Sequence, residues 1–393
     1  MNIANKNVAL LAACQGLLLT NNAILIATHG LAGYALADNK VFGTLPVTGY
    51  IVGAALTTMP ISLLMRKVGR RAGFTLCAMI GILGAAICGT AALLQSFWLL
   101  CAGALVLGIY NAGGQYYRFA AADSASTDFK SKAISLVLAG GIVGGILGPE
   151  TTKLTKDLLG AAFAGSYFSL AVFALAAIAV LRFVDLPPLT AAEQKDKGRP
   201  LSEIARQPAF LVAVVSGTVG YGIMNLLMVA TPLAMAAGAH PFSDSVFVIQ
   251  WHVIAMFAPS FFTGSLIKRF GVVPIMLAGV ALNLVCVAIA LTGLEVAHFW
   301  LALVALGVGW NFMFIGGTTL LTECYTPGER AKAQGANDMA VFVAMAATSV
   351  ASGLLFTLQG WQTMNQAAIP VLLAAGAAML WLGLTRGRSS KPA

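Results

Sequence analysis

The stretch Pro60-Ile-Ser62-Leu63-Leu64-Met65-Arg66-Lys67-Val68-Gly69 ends one long apolar run and leads, through Arg70-Arg71, into the next. An echo lies 202 residues on: Phe262-Thr-Gly264-Ser-Leu266-Ile-Lys268-Arg269-Phe270-Gly271, again between two apolar runs. Three more pairs keep nearly the same offset. Asn22-x4-Ala27-Thr28 matches Asn225-x4-Ala230-Thr231 at 203, Tyr110-Asn111 matches Trp310-Asn311 at 200, and Lys130-x-Lys132-Ala133 matches Arg330-x-Lys332-Ala333 at 200. Each match is weak alone, but four in chain order point to a duplicated unit.

Composition says what the unit is made of. Of 393 residues, 59% are hydrophobic and 9% charged, where soluble domains carry about 45–50% apolar and about 25% charged residues. The 42 glycines fit closely packed membrane helices. A soluble domain, a disordered chain, a collagen and a disulfide-rich scaffold are excluded. A helix crosses a bilayer core about 30 Å thick with about 20 apolar residues. Twelve runs qualify, at about 8–31, 43–65, 72–94, 97–120, 133–154, 160–182, 208–236, 246–267, 272–293, 298–322, 334–358 and 367–385. They are continuous rather than alternating, so helices are expected and not a barrel. The first, from about Val8 to Leu31, is too long for the apolar part of a cleaved leader.

Lysines and arginines orient the spans. With the N-terminus inside, the cytoplasmic side receives Lys6, Arg66, Lys67, Arg70, Arg71, Arg118, Lys130, Lys132, Arg182, Lys195, Lys197, Arg199, Arg206, Lys268, Arg269, Arg330, Lys332, Arg386, Arg388 and Lys391. Only Lys40, Lys153 and Lys156 fall outside, a ratio of 20 to 3 that one missed span would scramble. The longest polar stretch, about Asp185 to Gln207, follows the sixth span and carries Pro187, Pro188 and Glu193-Gln194-Lys195-Asp196-Lys197. The expected organisation is therefore an all-α membrane protein: a six-helix bundle over 1–184, a cytoplasmic loop over 185–207, and a second bundle over 208–393. Both copies start on the same side, so they are parallel repeats about an axis along the membrane normal. Both termini are then cytoplasmic.

The net charge of +9 sits in short clusters between spans, a pattern that does not suit nucleic acid. Six cysteines form no C-x-x-C pair, and no H-E-x-x-H, P-loop or paired-carboxylate signature occurs. No metal, cofactor or catalytic residue is expected.

On these features the chain resembles the major facilitator superfamily along essentially its whole length. That family's signature between spans two and three has the form G-x-L-x-D-R-x-G-R-R. Here it reads Ser62-Leu63-Leu64-Met65-Arg66-Lys67-Val68-Gly69-Arg70-Arg71, with Arg66 at the acidic position. The second copy keeps Gly264, Leu266 and Gly271 and has Lys268 there. A span-five signature of many proton antiporters ends G-x-x-x-G-P-x-x-G-G. Its core is present in Gly144-Gly145-Ile146-Leu147-Gly148-Pro149, without the final glycine pair. The arginine that many family exporters carry on span four has no recognisable counterpart; Asn111-Ala-Gly-Gly-Gln115 stands near its place. The resemblance implies a monomer in a bilayer, expected to be a bacterial inner membrane, with spans one, four, seven and ten around a central cavity.

Asn22, Asn111, Asn225 and Asn311 fall near the midpoints of those four spans. A side-chain amide in lipid is costly without a partner, so these should face inward. They would either ring a substrate or hydrogen-bond helix to helix. Tyr110, Trp310, Gln115 and Tyr116 lie beside them and suit a small-molecule pocket or ordinary packing. No carboxylate lies at mid-depth, which disfavours a cationic substrate. His29 could titrate near neutral pH or simply pack, and His252 or Asp338 would carry protons if protons are the coupling ion. A relocated latch is expected at the cytoplasmic face: Asp338, early in span eleven, pairing with Arg66 or Arg70, with Arg71 in the same cluster. The expected function is alternating-access transport of a small neutral, zwitterionic or weakly anionic organic solute, in part planar, as proton-coupled export. The alternatives are an importer or facilitator of a vitamin-like or metabolite solute, or, from another class, a non-transporting receptor or intramembrane enzyme.

Overall fold

The computed structural model describes residues 3–39, 42–43, 45–186 and 198–389. The prolines and charged run of the central loop, with Lys40 and Lys391, lie outside the described residues. Among the described residues, ten helices are long and apolar enough to cross a membrane. Two breaks complete the expected set. Ser243–Phe257 and Ser260–Phe270 form one span bent by 41° beside Pro259, where a proline ring cannot continue the hydrogen-bond ladder. The last helix, Arg330–Ser389, is 60 residues long and turns at Gly360, with φ 78° and ψ 177°. Unbroken, it would run to about 90 Å, so the break makes it spans eleven and twelve.

The two echoed loops are one structural device. Gly69 has φ 86° and ψ 155°, and Gly271 has φ 88° and ψ 161°. Each lets the chain leave one helix and enter the next at a φ that a side chain would strain. The match at 202 residues is thus a match of backbone geometry.

The chain divides into two compact units that depart from the expected halves at two short segments. The first unit is Met1–Ser126, Leu136–Lys197 and Pro327–Phe342; the second is Thr127–Ser135, Gly198–Thr326 and Val343–Ala393. In the first unit, span two (Leu45–Val68) lies on span four (Phe97–Gly114 and Tyr117–Ser124) at backbone contact. A Cβ on Gly53 would strike the Leu105 carbonyl, and one on Gly108 the Tyr50 carbonyl. Span one (Ile3–Leu36) packs on span five (Lys130–Ala139 and Gly141–Thr155). There Gly140, Gly144 and Gly148 face Ala12, Leu19 and Ala23. The antiporter-like glycines are therefore a small-residue stripe that lets two helices approach.

In the second unit, span ten (Val296–Leu321) is central, with spans seven (Pro208–Ala237), eight and nine (Val272–Thr292) on it. Gly279 admits Met313, Gly309 admits Asn283, and Gly307 meets the His252 carbonyl. Large apolar side chains such as Ile26, Trp98, Leu154 and Leu358 stand exposed, as a surface solvated by lipid requires.

Candidate functional site

In the first unit, Asn22 of span one donates from Nδ2 to Oδ1 of Asn111 on span four, at 3.1 Å. Tyr50 of span two donates its hydroxyl to Asn22 Oδ1 at 2.5 Å. Gln115 donates from Nε2 to the same Asn111 Oδ1 at 3.3 Å. Two amides expected from spacing thus meet, and they bring in Tyr50, which spacing did not select. Asn22, Tyr50 and Gln115 stay partly exposed, so the cluster is not sealed by packing.

The other two asparagines are engaged differently. Asn311 is fully buried; it donates to the Met256 carbonyl and Ser260 Oγ, at 2.7 and 2.6 Å, and accepts from Thr263 at 2.7 Å. This is helix-to-helix bonding between spans ten and eight. Asn225 donates to the Met345 carbonyl at 3.0 Å and to Thr348 Oγ1 at 3.1 Å, tying span seven to span eleven. Trp310 is fully buried, stacked on Phe314 at 5.1 Å with Tyr221 edge-on to both rings. Tyr110 packs over Gly81. Tyr116 is buried and donates to the Thr58 carbonyl at 2.9 Å. His252 is buried, its Nδ1 2.8 Å from the Leu303 carbonyl, between spans eight and ten. His29 sits 3.0 Å from the Tyr167 hydroxyl.

Asp338 does form an ion pair, but with a partner other than the expected ones. Asp338 Oδ1 accepts from Arg118 Nη2 at 2.5 Å, and the two side chains are 3% and 2% exposed. Asn337 Nδ2 donates to the same oxygen at 2.8 Å. The expected pairing with Arg66 or Arg70 is corrected accordingly. Arg70 lies nearby but donates to Gln334 Oε1 at 2.6 Å and pairs with Asp123 Oδ2 at 2.8 Å; Arg330 meets the same Oδ2 at 3.2 Å. Arg66 is half-buried and Arg71 exposed. Arg118, assigned from sequence to the cytoplasmic charge, is instead the buried arginine of span four. It was legible in principle, as a guanidinium within an apolar run, which membrane energetics marks as functional.

Two contacts, one within each unit, obey the repeat. In the first unit, Ser62 Oγ donates to the Ala331 carbonyl at 2.7 Å, and Gly335 lies against Met59 and Ser62. In the second, Ser131 Oγ donates to the Gly264 carbonyl at 3.0 Å, Ser135 Oγ donates to the Ser260 carbonyl, and the Gly264 N–H donates back to Ser135 at 3.1 Å. Residues 131 and 135 are the counterparts of 331 and 335, and Gly264 is the counterpart of Ser62. The signature's small residue thus has one task in both copies. It lets the start of a span from the other repeat come to backbone distance.

Comparison with known proteins gives this arrangement a family. The profile of the Major Facilitator Superfamily matches residues 8–249 and 223–393. The riboflavin transporter RfnT of Brucella anthropi is 42% identical over 372 residues, 94% of each chain. The MFS-type transporter YddS of Bacillus subtilis is 30% identical over 89% of this chain and 84% of its own. Among solved structures, the human organic anion transporter MFSD10 (TETRAN) superposes with a TM-score of 0.75 at 16% identity, covering 96% of this chain and 99% of that one. A bacterial homologue of the iron transporter ferroportin, in an outward-facing state, gives 0.74 at 11% identity, covering 97% and 99%. Those identities speak to fold alone; the profile and the 42% relative carry the assignment, and by them the chain belongs to the Major Facilitator Superfamily and is a membrane transporter.

Proposed function

We propose that this transporter carries riboflavin or a closely similar planar, neutral solute by alternating access. The observation that carries the reading is the 42% identity to a riboflavin transporter over 94% of both chains. The chemistry of the amide cluster supports it. The pyrimidinedione edge of a flavin presents C=O, N–H and C=O in a row. Asn22, Asn111 and Gln115 offer carboxamides that can both donate and accept, and Tyr50 adds a hydroxyl. Among the described residues no carboxylate bonds to this cluster, which suits an uncharged ring. Asn225, Asn311, Tyr110, Trp310 and Tyr116 act in this reading as the frame that holds the spans. The protein works as a monomer in the inner membrane with both termini cytoplasmic, in keeping with its charge asymmetry.

Asp338 is the proton carrier in this proposal. Its Oδ1 takes both Arg118 and Asn337, whereas its Oδ2 is buried with no hydrogen-bond partner among the described residues. A proton on Oδ2 would discharge the carboxylate and weaken its hold on Arg118. His252, tied to a backbone carbonyl between two helices, is a packing residue. The Gly144–Pro149 core supports proton-driven export as the direction.

The test is riboflavin flux, followed by flavin fluorescence, in proteoliposomes with an imposed pH gradient of either sign. Flux is expected in the wild type, and acceleration by only one sign of the gradient gives the direction. Asp338→Asn is expected to lose the gradient dependence while keeping riboflavin exchange, and His252→Ala to keep both. Failure of riboflavin to bind or exchange overturns the substrate reading; retention of wild-type pH dependence by Asp338→Asn overturns the proton reading.

A further inference from the structure

Span four breaks at Gln115-Tyr116, between a helix that ends at Gly114 and one that begins at Tyr117. The break sets the Gln115 carbonyl against Arg118, whose Nη1 donates to it at 2.6 Å and to Gln115 Oε1 at 3.1 Å. The other end of the same side chain donates from Nε2 to Asn111 Oδ1. One carboxamide therefore touches the mid-membrane amides with its nitrogen and the buried arginine with its oxygen. The bonds form an unbroken path inside the first unit: Tyr50 to Asn22, Asn22 to Asn111, Gln115 to Asn111, Arg118 to Gln115, and Arg118 to Asp338.

We infer that Gln115 is a positioning residue that makes the Arg118–Asp338 ion pair sensitive to occupancy of the amide cluster. A carbonyl oxygen accepts two hydrogen bonds, and Asn111 Oδ1 already accepts two, from Asn22 at 3.1 Å and from Gln115 at 3.3 Å. A solute N–H that bonds to Asn111 Oδ1 displaces one of them, and the longer bond to Gln115 is the one it displaces. The Gln115 amide then loses the anchor that fixes its plane. Arg118 Nη1 loses an oriented acceptor, and the guanidinium is less well placed for Asp338. An empty cluster thus holds the ion pair together and a filled one loosens it, the order of events a carrier needs to switch only when loaded. The displacement step uses the proposed location of the solute; the link from Gln115 to Arg118 does not.

Two substitutions separate the links. Gln115→Met keeps the volume and removes both side-chain bonds, leaving Arg118 only the backbone carbonyl of residue 115. Gln115→Glu keeps an acceptor for Arg118 but cannot donate to Asn111. Spin labels at the exposed, repeat-related positions Val68 and Phe270, on a background without the native cysteines, report cytoplasmic distances. Without ligand, Gln115→Met is expected to shift the distribution in the same direction as Asp338→Asn. At saturating riboflavin the wild type is expected to shift, whereas Gln115→Glu, compared at its own saturating concentration, keeps its ligand-free distribution. The inference is overturned if Gln115→Met leaves the ligand-free distribution unchanged, or if riboflavin moves Gln115→Glu as far as the wild type. A wild type that fails to bind riboflavin refutes the substrate reading, and the ligand-free comparison still decides whether Gln115 positions the ion pair.

Discussion

Arg118 and Asp338 meet where water cannot help either of them, so removing one partner strands the other. Breaking a buried pair typically costs about 3–5 kcal/mol, while replacing both members with well-packed apolar groups is often neutral or stabilising. Asp338→Leu is therefore expected to lower the unfolding temperature markedly in detergent, and Arg118→Met with Asp338→Leu to recover most of the loss, while both variants lose coupled transport. Equal melting temperatures for the single variant and the wild type would show that the pair contributes no stability. Cys324 tests a second buried group, in the loop after span ten. Burial chiefly, with Glu323 beside it, pushes its thiol up to about 12 despite Arg386 and Arg199 nearby. At pH 8 only about one thiol in 10⁴ is then ionised, against roughly a quarter for an ordinary cysteine. In a variant retaining only Cys324, maleimide labelling should be negligible at pH 7–8 and climb about tenfold per pH unit; rapid labelling at pH 7 would contradict its burial. At this scale the sequence was legible in part. Asp338 stood out as an acid near a helix start, and Asn22 and Asn111 as amides at mid-depth. Arg118 was hidden because counting charges by loop sorts a residue by its distance from a span end, not by whether its head is buried.

At the scale of elements, glycine decides how close helices come. Gly264 faces the backbone of span five: a Cβ there would lie 2.6 Å from the Ser131 carbonyl oxygen and 2.7 Å from Lys132 Cα. Backbone cannot swing aside as a flexible side chain can. Gly264→Val is thus expected to disfavour this packing, which cysteine accessibility at the start of span five would report as an increase. Gly353 and Gly30, with open space where a Cβ would stand, serve as controls, and Gly353→Ala should leave accessibility unchanged. If Gly264→Val is as silent as the control, the contact does not constrain the conformation. The spans themselves were readable because lipid demands long apolar runs whatever the sequence detail. The partners of each span were less so. Nothing in Gly140, Gly144 and Gly148 names Ala12, Leu19 and Ala23 as their neighbours, since a small-residue stripe declares a close approach but not by whom.

Over the whole molecule the duplication makes two like contacts, and only one of them is charged. The repeat offset of 200 carries Arg118 to Thr318 and Asp338 to Leu138, a hydroxyl and a hydrocarbon that cannot form an ion pair. The contact of Ser62 with Ala331 and Gly335 at the start of span eleven therefore has an ion pair in the same unit, and the contact of Ser131 and Ser135 with Gly264 is made, among the described residues, by neutral hydrogen bonds. Neutral hydrogen bonds contribute about 0.5–1.5 kcal/mol each, so losing one moves a conformational equilibrium by about tenfold at most. Stranding a buried charge moves it further and makes the balance depend on whether Asp338 is ionised. Ser135→Ala should consequently shift the cytoplasmic distance distribution modestly and equally at every pH. Asp338→Asn should shift it more and remove whatever pH dependence the wild type shows. Distance measurements between pH 5 and 9 separate the two cases. A pH dependence that survives in Asp338→Asn, or a larger shift from Ser135→Ala than from Asp338→Asn, would mean that the duplicated contacts share control evenly and that the charged one has no special place in switching.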